Sequence, residues 1–114
     1  MHELAVCQSL LRQVEEIARR EQAQRVELIR LRIGPLSGVV GELLKLAFTI
    51  ARAGTLADKA ELVIEEAPVR IRCTQCGAES EAPPNRLLCG SCGDFRTRLL
   101  SGDELLLASV ELEV

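Results

Sequence analysis

Four cysteines of this 114-residue chain form two Cys-x-x-Cys pairs, Cys73 with Cys76 and Cys89 with Cys92, and twelve residues separate the pairs. A tetrahedral metal ion takes four soft donors at about 2.3 Å, and each such turn presents two thiolates on one side of a tight loop. The spacing therefore predicts a four-thiolate site for Zn²⁺, with a rubredoxin-type iron site as the alternative. Because four protein ligands leave no open coordination position, we expect a structural site and not a catalytic one.

Two other uses of these cysteines are weighed against the metal site. Disulfides are rare in the cytosol, which is the compartment we expect because the first residues contain no basic leader of the signal-peptide type. A thioredoxin-like redox site needs one Cys-x-x-Cys pair and not two. Gly77 and Gly93 each follow the second cysteine of a pair, where a chain that curls around a metal often needs a positive φ. These observations favour the metal site.

The cysteine pairs are flanked by arginines, which allow two interpretations. They are Arg70, Arg72, Arg86, Arg96 and Arg98. Nearby cations offset the net negative charge of four thiolates and one Zn²⁺, whereas a phosphate-binding face would point to nucleic acid. The chain has no Trp or Tyr, two Phe and a net charge of −3. It therefore lacks both the aromatic surface on which bases stack and the positive charge of a general nucleic-acid or membrane binder, and charge balance is the favoured interpretation.

The single histidine is residue 2. Removal of the initiator methionine requires a small second residue, so we expect Met1 to remain with a free amine. Four nitrogen donors then lie close together: the Met1 amine, the amides of His2 and Glu3, and the His2 imidazole. Deprotonated amides and an imidazole in a square plane suit Ni²⁺ or Cu²⁺ and not tetrahedral Zn²⁺. Without further context, a disordered N-terminus with no metal is the favoured interpretation of these residues, and their chemistry alone does not decide between the two.

Two amphipathic helices and a strand are predicted before the cysteine pairs. The first helix carries apolar residues at helical spacing, which are Cys7, Leu10, Leu11, Val14, Ile17 and Ala18. Ile29, Leu31 and Ile33 alternate with arginines, which predicts a half-buried strand ended by Gly34-Pro35. Ser37 is the predicted cap of the second helix and Gly54 its end. The apolar residues of that helix are Val40, Leu43, Leu44, Ala47, Phe48 and Ala51.

Two further strands complete the predicted fold. One is the short segment Leu62 to Ala67, and the other has one apolar face to bury, formed by Leu106, Ala108, Val110, Leu112 and Val114. A module of about thirty residues offers little core of its own, so we infer that the chain leaves the first domain, forms the cysteine module and returns to add the last strand. The predicted fold is an α/β (α+β) two-layer domain, with a small mixed sheet and two helices, plus an inserted zinc-ribbon-like lobe. The predicted domains are 1–67 plus 102–114, and 68–101 for the lobe.

Several motifs taken together resemble the HypA/HybF family. They are the start Met1-His2-Glu3-Leu4, the segment Gly34-Pro35-Leu36-Ser37-Gly38-Val39 followed by Glu42, the double Cys-x-x-Cys after a proline, and the closing Ser101-Gly102-Asp103-Glu104-Leu105. They span essentially the whole chain in the family's order and spacing. Two departures leave the ligands intact: many members have Cys-Pro-x-Cys where this chain has Cys89-Gly-Ser-Cys92, and many have Ser where this chain has Ala5.

The resemblance implies a nickel metallochaperone for the maturation of NiFe hydrogenase, which in some organisms also serves urease. Members of the family have an α/β nickel-binding domain and a separate zinc domain. By resemblance, His2 is the essential nickel ligand, the Met1 amine and the Glu3 backbone complete the plane, and the Glu3 side chain contacts a GTPase. The zinc ligands implied in the same way are Cys73, Cys76, Cys89 and Cys92.

The implied partners are a HypB-type GTPase accessory protein and the large-subunit precursor of the hydrogenase, and the implied compartment is the cytoplasm. We expect no nucleic acid, no membrane and no catalysed reaction, and either a monomer or a homodimer.

Some members of the family recruit an acidic side chain to nickel. Glu42 is the nearest candidate in this chain, although a solvated helix residue is the favoured interpretation. Cys7 is expected in the core, with an auxiliary role in nickel binding as the alternative.

Two other classes of function remain as alternatives. A zinc-ribbon protein that binds nucleic acid or acts in regulation is the first, and the arginines around the cysteines are its support. An enzyme is the second, but the sole His has no evident partner, so acid–base chemistry would rest on carboxylates alone. No run of about twenty apolar residues occurs, which argues against a transmembrane helix.

Overall fold

A computed structural model of the chain describes residues 3–114. The elements follow in the order α1 (Glu3–Arg20), β1 (Arg25–Ile33), α2 (Gly41–Ala51), β2 (Glu61–Glu66), β3 (Arg70–Cys73), β4 (Glu79–Glu81), β5 (Thr97–Ser101) and β6 (Leu105–Glu113). The strands form two three-stranded sheets, in the orders β2-β1-β6 and β4-β3-β5. Two helices, small sheets and a cluster of four cysteines confirm the predicted α+β fold class.

The chain divides into two compact units. Unit 1 consists of Met1–Arg32, Val39–Glu65 and Leu106–Val114, and unit 2 consists of Ile33–Gly38 and Glu66–Leu105. The sheet β4-β3-β5 and all four paired cysteines lie in unit 2. The sequence predicts domain limits of 1–67 plus 102–114 for the first domain and 68–101 for the lobe, and these limits remain a prediction. The two compact units differ from them chiefly because residues 33–38 belong to unit 2, which contains the paired cysteines.

Two glycines allow the segment 33–38 to lie against the end of unit 2. The N–H of Gly34 donates to the carbonyl of Glu104 at 2.9 Å, and the N–H of Leu36 donates to the carbonyl of Gly102 at 2.7 Å. A Cβ at Gly34 would overlap the Gly102 carbonyl, and a Cβ at Gly102, where φ is 120°, would come within 2.8 Å of Val69. Only glycine fits at both positions. The segment around Gly34 and the segment around Gly102 therefore pack directly against each other.

The core of unit 1 is built from one face of each helix and of β1. As predicted, α1 buries one apolar face, and its buried apolar residues are Cys7, Leu10, Leu11, Val14 and Ala18. In β1 the side chains of Ile29 and Leu31 are buried while Arg32 is exposed, which confirms the predicted alternation. The second helix buries Leu44, Ala47 and Phe48. Neither helix, within residues 3–114, has the length and apolarity needed to cross a membrane.

The second helix does not begin where the sequence pattern placed its cap. The residue at its N-cap position is Val40, whose backbone is extended and which makes no side-chain capping hydrogen bond, so the prediction of Ser37 as the cap is wrong. The helix ends at Ala51, and Gly54, with a φ of 77°, lies in the turn that follows it. Because Val40 has no polar side chain, the backbone N–H groups at the start of α2 need an acceptor from elsewhere.

The last strand is present, but its apolar face is not buried as predicted. Leu106 is 53 % exposed and Val114 is 81 % exposed, while Val110 and Leu112 are half-buried. The reason lies in the order of the sheet: β6 occupies the edge beside β1 and not the centre. A strand can therefore alternate regularly in sequence without having a layer packed over it.

Candidate metal centre

The four paired cysteines converge in unit 2. Their Sγ atoms all lie within 4.8 Å of one another, with Cys73 and Cys89 buried and Cys76 and Cys92 exposed. The Sγ atoms of Cys73 and Cys92 are 3.6 Å apart, as are those of Cys76 and Cys89. Four sulfurs placed tetrahedrally at about 2.3 Å from an ion would be separated by about 3.8 Å. The arrangement therefore fits a tetrahedral four-thiolate metal site.

The first Cys-x-x-Cys pair forms a tight turn around the sulfur of its leading residue. The backbone N–H groups of Gln75 and Cys76 donate to the Sγ of Cys73 at 3.3 and 3.4 Å. The N–H of Gly77 donates to the carbonyl of Cys73 at 3.0 Å and closes the turn. Gly77 has a φ of 78°, which confirms the positive φ predicted at this glycine.

The second pair repeats this geometry. The N–H groups of Ser91 and Cys92 each donate to the Sγ of Cys89 at 3.3 Å. The N–H of Gly93 donates to the carbonyl of Cys89 at 2.9 Å, and Gly93 has the same φ of 78°. Each turn thus offers two backbone donors to one sulfur, and hydrogen bonds of this kind stabilise a thiolate more than a neutral thiol.

The environment separates the pKa values of the cysteines. The N–H groups of Cys92 and Ser91 lower the pKa of Cys89 to about 6. The pKa of Cys92 is lowered by the N–H of Asp94, but it is raised by the neighbouring Cys73 thiol, by desolvation and by the remaining thiols. The causes that raise it prevail, and the pKa of Cys92 is about 12. Adjacent thiols therefore oppose one another's ionisation, and a divalent cation bound among them would allow all four to be thiolates.

Arg96 links the two turns of the metal centre. Its carbonyl accepts hydrogen bonds from the N–H and the hydroxyl of Thr74, at 2.9 and 2.7 Å. Its guanidinium donates to both carboxylate oxygens of Asp94, at 3.0 and 2.9 Å, and this contact lowers the pKa of Asp94 to about 2. Asp94 first, and then the charges of Cys73 and Cys92, raise the pKa of Arg96. The charge of this arginine is therefore met mainly by Asp94, and the thiols come second.

A second arginine of the lobe is also ion-paired. Arg72 and Glu79 lie opposite each other on the antiparallel strands β3 and β4. The Nη2 of Arg72 lies 2.6 Å from the Oε2 of Glu79, and its Nε lies 3.2 Å from the same oxygen. This hydrogen bond, followed by the charge of Arg72, lowers the pKa of Glu79. The guanidinium of Arg72 is therefore compensated within the sheet, which weakens the phosphate-binding interpretation.

The second candidate site lies at the start of the chain, where Met1 and His2 fall outside the described residues. Glu3 is described, and it begins α1. It is only 6 % exposed, and its Oε2 accepts a hydrogen bond from the N–H of Val40 at 3.3 Å. That contact is the main reason why the pKa of Glu3 is lowered. One N–H group at the start of α2, that of the N-cap residue Val40, thus has its acceptor on a carboxylate of α1.

This role of Glu3 was not predicted from the sequence, in which the residue is assigned to nickel and to a protein partner. One signal in the sequence could have pointed to this role. The helix that starts at Val40-Gly41 has no Ser, Thr, Asp or Asn at its cap position, so an acceptor from another part of the chain is to be expected.

Cys7 and Glu42 are the two candidates for an auxiliary nickel ligand. Cys7 is fully buried, its thiol donates to the carbonyl of Leu44 at 3.5 Å, and burial raises its pKa. It therefore packs as a core residue that joins the two helices. Glu42 is exposed in the first turn of α2, as expected of a solvated helix residue.

Comparison with known proteins identifies the family of the chain. A family model described as "Hydrogenase/urease nickel incorporation, metallochaperone, hypA" matches residues 1–112. The hydrogenase maturation factor HypA of Nitrosospira multiformis is 49 % identical over 112 residues, covering 98 % of this chain and 97 % of that protein. HypA of Aquifex aeolicus is 44 % identical over 114 residues, covering 100 % of this chain and 99 % of that protein.

The solved structures to which this chain is similar belong to the same family as its relatives in sequence. The solution structure of the Ni metallochaperone HypA from Helicobacter pylori superposes with a TM-score of 0.69 at 29 % identity, covering 99 % of this chain and 98 % of that one. A second solution structure of a HypA protein gives a TM-score of 0.75 at 28 % identity, covering 98 % and 96 % of the two chains. Because the similarity extends over the whole length in sequence and in fold, this chain belongs to the HypA family of hydrogenase and urease nickel-incorporation metallochaperones.

Proposed function

We propose that this chain binds Ni²⁺ at its N-terminus and delivers it for the maturation of NiFe hydrogenase, with urease as a further recipient in organisms that have one. The observation that carries the proposal is the donor set Met1-His2-Glu3 at the start of a chain that matches the nickel-incorporation family over residues 1–112. The partners we propose are a HypB-type GTPase and the large-subunit precursor, both in the cytoplasm. The chain acts in this scheme as a carrier and not as an enzyme.

The proposed nickel ligands are the Met1 amine, the amide and imidazole nitrogens of His2, and the amide nitrogen of Glu3. Such a square-planar nitrogen set suits Ni²⁺. The first four N–H groups of a helix have no acceptor within that helix, so use of the Glu3 amide as a ligand costs α1 no helical hydrogen bond. The Glu3 carboxylate, held at the start of α2, fixes the residue that follows His2.

The proposed role of Cys73, Cys76, Cys89 and Cys92 is to hold a structural Zn²⁺. Their sulfur spacing fits a tetrahedral ion, and four thiolates leave no position open for a substrate. The metal then stabilises unit 2 and takes no part in nickel exchange. A nickel site at the N-terminus suits the transfer of the ion to another protein, because ligand exchange there does not require the core of unit 1 to open.

A nickel titration of the His2→Ala variant tests the proposal. Calorimetry and ligand-field absorption of Ni²⁺ are measured for the zinc-loaded wild type, the variant and a Gln8→Ala control on the exposed face of α1. Loss of a ligand should weaken nickel binding by more than the roughly 100-fold that supporting residues contribute, with loss of the square-planar spectrum. Affinity should also fall as the pH is lowered, because amine and amide donors must be deprotonated. Retention of both affinity and spectrum in His2→Ala would contradict the assignment.

A further inference from the structure

The four sulfurs of the metal centre contain two close pairs, and each pair joins one Cys-x-x-Cys turn to the other. The Sγ atoms of Cys73 and Cys92 are 3.6 Å apart. Those of Cys76 and Cys89 are also 3.6 Å apart. In each pair the first residue of one turn is buried and the last residue of the other turn is exposed. A small oxidant can therefore reach one member of a pair, and the other member lies where it can form a disulfide.

Cys92 is the less stabilised sulfur of its turn. The N–H groups of Ser91 and Cys92 both donate to the Sγ of Cys89. Among the described residues one backbone donor, the N–H of Asp94, serves the Sγ of Cys92. Hydrogen bonds stabilise a thiolate, and a more stabilised thiolate is a weaker nucleophile. When a metal holds both sulfurs as thiolates, we therefore expect Cys92 to attack an oxidant faster than Cys89.

Arg96 distinguishes Cys92 from Cys76, the other exposed cysteine of the centre. The charges of Cys73 and Cys92 act on the guanidinium of Arg96, after that of Asp94. Reactive cysteines are typically accessible and lie in a positive environment. A nearby cation also stabilises the hydroxide that leaves when a thiolate attacks a peroxide. Cys92 is thus the sulfur that combines exposure with a neighbouring guanidinium.

We propose that Cys92 is an oxidation site, at which a peroxide converts Cys92 and Cys73 into a disulfide and thereby releases the metal. The Cys92 thiolate attacks one oxygen of hydrogen peroxide, so that an S–O bond forms, the O–O bond breaks and hydroxide leaves. The Cys73 thiolate then attacks the Cys92 sulfur, an S–S bond replaces the S–O bond, and a second hydroxide leaves. The two sulfurs lose two electrons to the peroxide, and two protons convert the hydroxides into water.

The disulfide between Cys73 and Cys92 removes two of the four ligands in one reaction. Cys76 and Cys89 alone do not complete a tetrahedral site, so they hold the ion weakly. The two sulfurs have to approach from 3.6 Å to about 2.05 Å. Because they belong to different turns, their disulfide keeps the turns joined, and its reduction restores the ligand set. The proposal rests on the zinc site proposed above and is independent of the nickel site.

Oxidation of the zinc-loaded full chain tests the proposal. The zinc-to-protein ratio is measured before hydrogen peroxide is added; a chain that binds no zinc would contradict the zinc site itself. Released zinc is then followed with a chromogenic chelator, and disulfides are mapped by mass spectrometry after alkylation. One Zn²⁺ should be released for each disulfide between Cys73 and Cys92, and a thiol reductant with Zn²⁺ should reverse the change. Dimedone, which traps sulfenic acids, should label Cys92 first.

Three outcomes would overturn the proposal while leaving the zinc site intact. The first is a zinc-loaded chain that keeps its zinc and its thiols in millimolar peroxide. The second is a first disulfide formed within one turn, between Cys73 and Cys76 or between Cys89 and Cys92. The third is a dimedone label that appears first on a cysteine other than Cys92.

The Arg96→Gln variant tests the choice of Cys92 and keeps all four ligands. Its peroxide-driven zinc release should be about three- to fivefold slower, as expected for the loss of one neighbouring charge in solvated surroundings. Arg72→Gln is the matched control, because the guanidinium of Arg72 is ion-paired with Glu79, and it should leave the rate unchanged. A merely structural role of Arg96 would loosen the lobe and speed the release. An unchanged or faster release in Arg96→Gln would therefore overturn the assignment of Cys92.

Discussion

Units 1 and 2 of this chain are stabilised by different interactions. Unit 1 buries apolar side chains from both helices and β1, and Ile29 and Leu44 are completely removed from solvent. Unit 2 has a much smaller apolar interior, in which Ile71 lies buried along with the cysteines Cys73 and Cys89. Four of its backbone N–H groups donate to sulfur, through two turns with the same geometry.

This difference suits the proposed combination of a structural metal with a transported one. In our proposal unit 2 uses a bound metal as a substitute for a core, which a segment of this size can hardly build from side chains alone. Unit 1 has a core of its own, so in our proposal the ion at its terminus is not needed for folding. The metal that stabilises and the metal that is transferred are therefore assigned to different parts of the chain.

The largest expected effect is the loss of structure in unit 2 when its metal is removed. Structural zinc contributes about 10–16 kcal/mol of apparent binding energy to small domains. Chelation, or the Cys89→Ser substitution, should collapse the amide dispersion of β3, β4 and β5 in a proton–nitrogen correlation spectrum, while α1 and α2 keep native shifts. Unchanged dispersion in unit 2 after the metal has been removed would show that its core is sufficient and would abolish the contrast between the units.

The reverse experiment weakens the core of unit 1. Leu44→Ala removes a fully buried side chain of α2 and should lower the free energy of unfolding of unit 1 by about 2–5 kcal/mol. The zinc-to-protein ratio and the spectrum of unit 2 should not change. Leu46→Ala is the control, because this neighbouring leucine is exposed and its loss should cost less than about 0.5 kcal/mol. Loss of zinc in Leu44→Ala would mean that the units fold as one.

A smaller effect is expected at the contact between Glu3 and the start of α2. Glu3→Ala removes the carboxylate that accepts from the N–H of Val40, so the first turn of α2 should exchange its amide hydrogens about fivefold faster. Glu16→Ala, an exposed carboxylate later in α1, should leave this exchange unchanged. If Glu3→Ala also leaves it unchanged, the residue does not cap α2 and its side chain is available for the predicted contact with a GTPase.

The metal centre could be predicted from the sequence because its geometry is local. Each turn is made by four consecutive residues and a following glycine, and Gly77 and Gly93 adopt the φ that their positions indicate. The face of α1 and the alternation in β1 were predictable for the same reason, since the periodicity of an element is a local property. The proposed identity of the transported ion required the family resemblance, because Met1 and His2 taken alone favoured a metal-free terminus.

The features that could not be predicted depend on contacts between distant parts of the chain. The acceptor for the N–H of Val40, the N-cap residue of α2, is Glu3, which is 37 residues away, and no pattern around Ser37 contains that information. The exposure of Leu106 follows from the place of β6 in the order β2-β1-β6. Alternation indicates which residues share a face, but only the pairing of strands determines whether another layer covers it.

The smallest expected effect concerns the exposed ion pair between Arg72 and Glu79. The fold lowers the pKa of Glu79 from its ordinary value of 4.5, so the pair stabilises unit 2 above that value and ceases to do so as the pH falls through the lowered pKa. Glu79→Gln should therefore change zinc affinity at neutral pH less than about twofold, as is usual for surface pairs. A carbon-detected pH titration of the Glu79 carboxyl group in the wild type and in Arg72→Gln measures the pKa directly. An equal pKa in both proteins would show that Arg72 does not stabilise the Glu79 carboxylate and that this ion pair contributes nothing to the stability of unit 2.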